Sequence, residues 1–227
     1  MPSSKKRAGY NKGLIHYNYG KGPGKSTSAF GIVVRALGHG FKPIVIQFLK
    51  KTRENEDTYT QKDELDQLEI DVSDLIEEYN VNEIDESETS NGRKSGFEYG
   101  EYVTFSSILK IPVIQLGTPS FIYSNEEPTQ RHKTMCKFGF ALIRRIIETQ
   151  AYDLLILDEI ITAIALNLID LKSLIELLKN KREDLEIILT GREEINQLME
   201  ISDYVTEFVS KKHPFRKGIF ARKGVEF

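Results

Sequence analysis

A single cysteine, Cys136, leaves this chain without an intrachain disulfide or a cysteine-rich zinc site. Its four histidines, His16, His39, His132 and His213, show no metal-ligand spacing. The basic, polar stretch from Met1 to Lys12 lacks the apolar core of a signal peptide, and no later run is long and apolar enough to span a bilayer. These shortages predict a soluble protein of a reducing, cytoplasmic compartment with no membrane partner. With 227 residues the chain can bury one sizeable core, and residues 1–227 are expected to form a single domain carrying an appended segment.

Acidic residues are absent from Met1 to Thr52, although the whole chain carries a formal net charge of -3. The deficit is made up between Arg53 and Glu101, where 17 acidic and 4 basic residues give -13. The remainder is therefore basic and suits a polyphosphate or a carboxylate-bearing small molecule. No basic run is interleaved with aromatics, which argues against a nucleic-acid platform. Lys5-Lys6-Arg7 fits a solvated tail.

What is present is a phosphate-binding pattern. Gly20-Lys21-Gly22-Pro23-Gly24-Lys25-Ser26-Thr27 follows the apolar run Leu14 to Tyr19 and opens a helical pattern, as a loop must if its backbone N–H groups are to surround an anion. Glycines let the backbone curl round phosphate. Lys25, expected to face solvent in the empty loop, supplies a point charge, and the Ser26 hydroxyl is suited to a Mg²⁺ shell. The usual spacing would put the first glycine at Tyr19, so the loop is one residue short.

Ala29, Phe30, Ile32, Val33, Ala36 and Leu37 recur at helical spacing before Gly38 and Gly40, and Ile44 to Phe48 reads as a strand, completing a βαβ unit. Short apolar runs at Val113 to Leu116, Leu154 to Leu157, Ile187 to Leu189 and Val205 to Val209 alternate with helical segments at Thr129 to Thr149, Leu171 to Asn180 and Glu193 to Ile201. The fold class is α/β: a P-loop NTPase-like, RecA-like, mostly parallel sheet sandwiched by helices, with ligands at the carboxyl ends of its strands. An acidic insertion at about 53–96 interrupts the alternation. Leu65, Leu68, Val72, Leu75, Ile76 and Tyr79 would share a face of one amphipathic helix within it, peripheral to the sheet.

Leu154-Leu155-Ile156-Leu157-Asp158-Glu159 is a buried strand ending in two carboxylates. Either acid can reach a Mg²⁺ ion that bridges phosphate oxygens, while the other orients it or Ser26. A P-loop and an acidic strand end are shared by motors, kinases and transferases, so they do not identify the reaction.

Other segments narrow it. The loop Gly20 to Thr27, Ala29-Phe30-Gly31, Arg35-Ala36-Leu37-Gly38-His39-Gly40 and Gln47-Phe48-Leu49-Lys50 together resemble the ATP:corrinoid (cob(I)yrinic acid a,c-diamide) adenosyltransferases. The likeness resumes after the insertion with Ser120-Phe121-Ile122-Tyr123, Leu157-Asp158-Glu159, Thr190-Gly191-Arg192, Asp203 to Glu207 and the closing Lys212 to Phe227. It spans all but the first dozen residues and the insertion, and its last segment, which ordinary P-loop enzymes lack, is the most specific part.

The resemblance implies transfer of the 5′-deoxyadenosyl group from ATP to the cobalt of a Co(I) corrinoid, with triphosphate as leaving group. It implies a triphosphate held in the reverse of the usual sense, so that the 5′ carbon meets the nucleophile. Phe121 and Tyr123 match an aromatic pair that strips the lower axial ligand from cobalt, with Tyr where Trp is common. Arg35, Arg192, Lys212 and His213 are candidate ligand contacts. Ser26, Asp158 and Glu159 are candidates for holding Mg²⁺ or Mn²⁺, ATP is the co-substrate, and a homodimer and a flavoprotein reductant are implied. Pro23 stands where the family commonly has Lys, and it removes one N–H from the cradle. A phosphoryl-transferring or hydrolysing ATPase and a non-catalytic ATP or corrinoid sensor remain the alternatives. The resemblance also leaves open a complete cobamide or an early corrinoid as substrate.

Overall fold

A computed structural model describes residues 12–51, 61–81, 99–118 and 127–226. Among these residues lie β1 (Ile15–Tyr19), α1 (Lys25–Gly38), β2 (Pro43–Phe48), α2 (Gln61–Asp66), α3 (Ser73–Glu78) and α4 (Gly100–Val103), which runs on into a π-turn at Thr104–Ile108. There follow β3 (Val113–Leu116), α5 (Gln130–Glu148), β4 (Leu154–Asp158), α6 (Ile160–Ala165), α7 (Leu171–Lys179), β5 (Glu186–Thr190), α8 (Asn196–Glu200) and β6 (Tyr204–Glu207). The six strands form one sheet in the order β3-β2-β4-β5-β1-β6, and every neighbouring pair is parallel. This is the expected P-loop NTPase-like α/β architecture.

Strand alternation divides the core between the two faces. Ile44, Ile46, Leu155, Leu157, Ile187 and Leu189 pack on the side of α5, α6 and α7, whereas Val45, Ile156 and Ile188 pack under α1 with Phe30, Val33, Tyr102 and Phe105. Helix α5 begins with Thr129, whose hydroxyl accepts from the His132 amide, and buries Met135, Phe138, Leu142, Ile143 and Ile146 against the sheet. Gly139 lets that helix close down. A Cβ there would lie 2.2 Å from Leu116 Cδ1 and 2.8 Å from Phe48.

The expected helix at Glu193 to Ile201 shortens to α8 because Tyr17 competes for its first turn. The Tyr17 hydroxyl donates to the Glu193 carbonyl at 2.7 Å and accepts from the Ile195 amide at 3.0 Å. Both backbone groups are thereby held outside the helical ladder.

The insertion departs from the expectation in two ways. Its apolar positions do turn to the core, but across two short helices and the residues flanking them, because the Asp71 carboxylate accepts from the amide and hydroxyl of Ser73 and starts α3 afresh. Nor is its described part, residues 61–81, peripheral. Leu65, Val72, Leu75 and Val81 belong to the main core, and the Glu64 side chain, 1% exposed, reaches the free edge of β3. Glu64 accepts from the Gln115 amide at 2.9 Å, the Tyr102 hydroxyl at 2.9 Å and Lys51 Nζ at 3.2 Å. Burial pushes its carboxyl above the usual range, while Lys51 and these hydrogen bonds pull the other way.

Glu64→Ala therefore strands the buried Lys51 ammonium and removes the carboxylate that accepts from the Gln115 amide. It should cost about 3 kcal/mol or more and lower the thermal midpoint by roughly 10 °C. Glu69→Ala, which removes only an exposed pair with Lys42, should change stability by less than about 0.5 kcal/mol. Equal midpoints for the two variants in thermal denaturation would refute the structural role of Glu64.

Candidate functional site

Strand register assembles the site. Gln47 lies opposite Gln115 on one side and Asp158 on the other, and Thr190 lies opposite Asn18, so a row of polar residues crosses the carboxyl end of an otherwise apolar sheet. Gln115 Nε2 donates to Gln47 Oε1 at 2.8 Å, and Gln47 Nε2 donates to Asp158 Oδ2 at 3.1 Å. Thr190 Oγ1 donates to Asp158 Oδ1 at 2.7 Å. All five residues are buried.

Asp158 is the centre of this row. Beyond Gln47 and Thr190, it accepts from Ser26 Oγ at 2.7 Å and Lys50 Nζ at 2.7 Å, which fills its four lone-pair positions. Burial raises its pKa, but the Lys50 charge and the donors outweigh burial and hold the carboxyl below the usual range. The same pairing drives Lys50 upward against its own burial. Lys50 Nζ also stands 5.6 Å from the centre of the Tyr99 ring.

The loop sits where its sequence predicts, between β1 and α1. Gly24 caps α1 in the left-handed region at φ 105°, with no acidic residue in the first turn, so the helix presents its amide end without a negative side chain. Gly20 and Gly22, expected to meet phosphate, also serve packing. A Cβ on either would meet the Phe208 carbonyl oxygen at 2.6 or 2.7 Å, and the Gly22 amide donates to that oxygen. Lys21, Pro23 and Thr27 are exposed along the cradle.

Lys25 is not solvent-facing. Its Nζ donates to the carbonyls of Gly20 at 2.7 Å and Gly22 at 3.0 Å, spanning the short loop. Burial lowers its pKa, opposed by Glu159 and reinforced by Arg192. Arg192 thus stands near the loop, exposed just beyond β5. Glu159 occupies the left-handed region at φ 60°, its amide donating to Thr190 Oγ1 and its Oε2 accepting from Thr162. A non-glycine residue in that conformation is strained, here at the residue that follows the buried acid.

Other candidates lie elsewhere. Arg35 is exposed in the last turn of α1, ten residues and roughly 15 Å along the helix from Lys25. Lys212 and His213 lie in the exposed C-terminal segment, where His213 Nδ1 accepts from the Phe215 amide. Phe121 and Tyr123 fall outside the described residues. Among the described residues no group of three His, Cys, Asp or Glu could by itself hold a metal. Ser26 and Asp158 nevertheless offer adjacent oxygens, with Glu159 beside them, a set that fits an ion arriving with phosphate ligands of its own.

The sequence motifs give no role to Lys50, Gln47, Gln115 or Thr190. The available signal was a polar residue near the carboxyl end of each buried strand. Thr190→Val keeps the shape but removes one donor to Asp158 and the acceptor for the strained Glu159 amide. Its expected cost is about 1–3 kcal/mol by urea unfolding, and an unchanged midpoint would contradict the role given to this hydroxyl.

The chain is similar to the corrinoid adenosyltransferase of Sinorhizobium sp, 29% identical over 95% of this chain and 81% of that protein. It is likewise similar to corrinoid adenosyltransferases of Pseudomonas aeruginosa, at 26% over 95% of this chain and 84% of that protein, and of Escherichia coli, at 24% over 95% and 86%. The model of the family described as ATP:corrinoid adenosyltransferase BtuR/CobO/CobP matches residues 11–95 and 91–227. With that match running over nearly the whole chain, this protein belongs to the ATP:corrinoid adenosyltransferase family.

Proposed function

We propose that this protein transfers the 5′-deoxyadenosyl group of ATP to the cobalt of a Co(I) corrinoid and releases inorganic triphosphate. The observation that carries the proposal is the short glycine cradle bridged by Lys25, set beside the buried Asp158, in a chain of this family. Attack at the 5′ carbon leaves growing negative charge on the departing triphosphate. In this reading the α1 amide end and Lys25 would meet that charge, with Lys25 exchanging its two loop carbonyls for phosphate oxygens. Ser26, Asp158 and Glu159 would hold Mg²⁺ or Mn²⁺, which when bound supplies further charge neutralisation at the phosphates.

The protein needs no general base, because reduced cobalt is itself the nucleophile. Its remaining tasks are to position cobalt and to exclude water. Phe121 and Tyr123 are assigned the displacement of the lower axial ligand, and Arg192 a contact near the leaving group. For Arg35, Lys212 and His213 the ligand roles rest on family resemblance alone. A cytoplasmic homodimer served by a flavoprotein reductant has the same basis; no helix among the described residues is long and apolar enough to cross a membrane.

Lys25→Ala should lower the rate by roughly 10²-fold or more while the variant stays folded. Activity close to the unaltered protein would sink the role of the loop. With ATP and reduced corrinoid under anaerobic conditions, chromatography should find triphosphate and an adenosylated corrinoid. ADP and phosphate would instead mean attack at phosphorus.

Phe121→Ala and Tyr123→Ala should slow the reaction begun from Co(II) more than that begun from preformed Co(I). Equal losses from both starting states would reduce the pair to packing or corrin binding.

A further inference from the structure

The ammonium of Lys50 lies between the two groups best suited to hold a divalent ion. Its Nζ is 2.7 Å from Asp158 Oδ2 and 3.3 Å from Ser26 Oγ, and Ser26 Oγ is 2.7 Å from Asp158 Oδ1. Oxygen ligands on adjacent corners of a Mg²⁺ octahedron are about 3 Å apart, so these two oxygens are already spaced as neighbours in such a shell. Yet Asp158 has no free lone pair. Of its four donors, Gln47 and Thr190 are fully buried and belong to the strands, which leaves Ser26 and Lys50 to give way. Ser26 can become a ligand itself. Lys50, on a long side chain that retains 13% exposure, is the donor whose charge an ion replaces.

We propose that Lys50 is the resident cation of the Ser26–Asp158 site, and that a divalent ion enters only by displacing it. The inference rests on the metal–nucleotide reading given above and adds an order to it. A displaced ammonium leaving a buried carboxylate needs another anion, and the triphosphate beside Ser26 supplies one. Free metal brings no such partner. The ion therefore enters together with its nucleotide, and the site stays closed to metal alone.

The test uses the full chain and Mn²⁺ without nucleotide. Free Mn²⁺ is followed by electron paramagnetic resonance and the thermal midpoint by calorimetry. The unaltered protein should bind Mn²⁺ weakly and show little thermal response. Lys50→Met leaves the Asp158 carboxylate without its cation, so it should bind Mn²⁺ at least about tenfold more tightly and gain several degrees in its midpoint on adding it. The Lys50→Met, Asp158→Asn double variant removes both charges and should lose that response.

An unchanged Mn²⁺ affinity in folded Lys50→Met overturns the proposal, as does a Lys50→Met chain that remains unfolded in Mn²⁺. A double variant that responds as strongly as the single one also overturns it, since the ion would then bind elsewhere. Failure of the unaltered protein to bind Mg²⁺-ATP is a different result, and it would strike the nucleotide reading itself.

Discussion

The carboxylate of Asp158 has no exposed surface, and removing a charge from water is tolerable only when every lone pair finds a donor. Its four donors come from three segments that are distant in sequence: Ser26 at the start of α1, Gln47 in β2 with Lys50 just beyond it, and Thr190 at the end of β5. Meeting that one requirement fixes the phosphate loop relative to three strands. It also fixes Glu159, whose amide is held by the same Thr190 hydroxyl in a backbone conformation that local preference disfavours. A buried pair of this kind is weak evidence for net stability. Its value here is geometric, since the groups that would meet phosphate and metal cannot drift apart without orphaning a charge.

The acidic insertion obeys the same rule at the sheet edge. An outer strand exposes N–H groups that invite unwanted pairing, and the Gln115 amide of β3 is closed by the Glu64 carboxylate. From there a continuous hydrogen-bonded path runs through the Gln115 and Gln47 side chains to Asp158. Adjacent lysines anchor its two ends, Lys51 on Glu64 and Lys50 on Asp158. The segment of highest negative charge thus contributes one buried carboxylate to the frame of the site, while others of its acids, such as Asp66, Glu69 and Asp74, stay exposed.

Glycines in the loop answer to two demands. Phosphate approach needs a bare backbone, but so does the passage of Phe208 behind the cradle, which leaves no room for a Cβ on Gly20 or Gly22. The chain after β6 is consequently part of the loop's support, its Phe208 amide bonded to Tyr19 and its carbonyl to Gly22.

Much of this was legible in the sequence because it is local. The Val113–Leu116 strand, the α5 limits at Thr129 and Thr149, the glycine loop and the acidic end of β4 follow from periodicity, capping and motif spacing within a few residues. Local pattern misled where a distant group intervened. Tyr17 shortened α8, Asp71 split the insertion helix, and Glu64 drew a segment that looked like surface into the core. Sequence by itself determined a glycine-rich strand-to-helix loop on an α/β sheet of its family. Only the tertiary structure decided that Lys25 closes on its own loop and Lys50 neutralises Asp158, because a buried charge is satisfied by whichever donors the strand register brings within about 3 Å, and register is a property of the whole sheet.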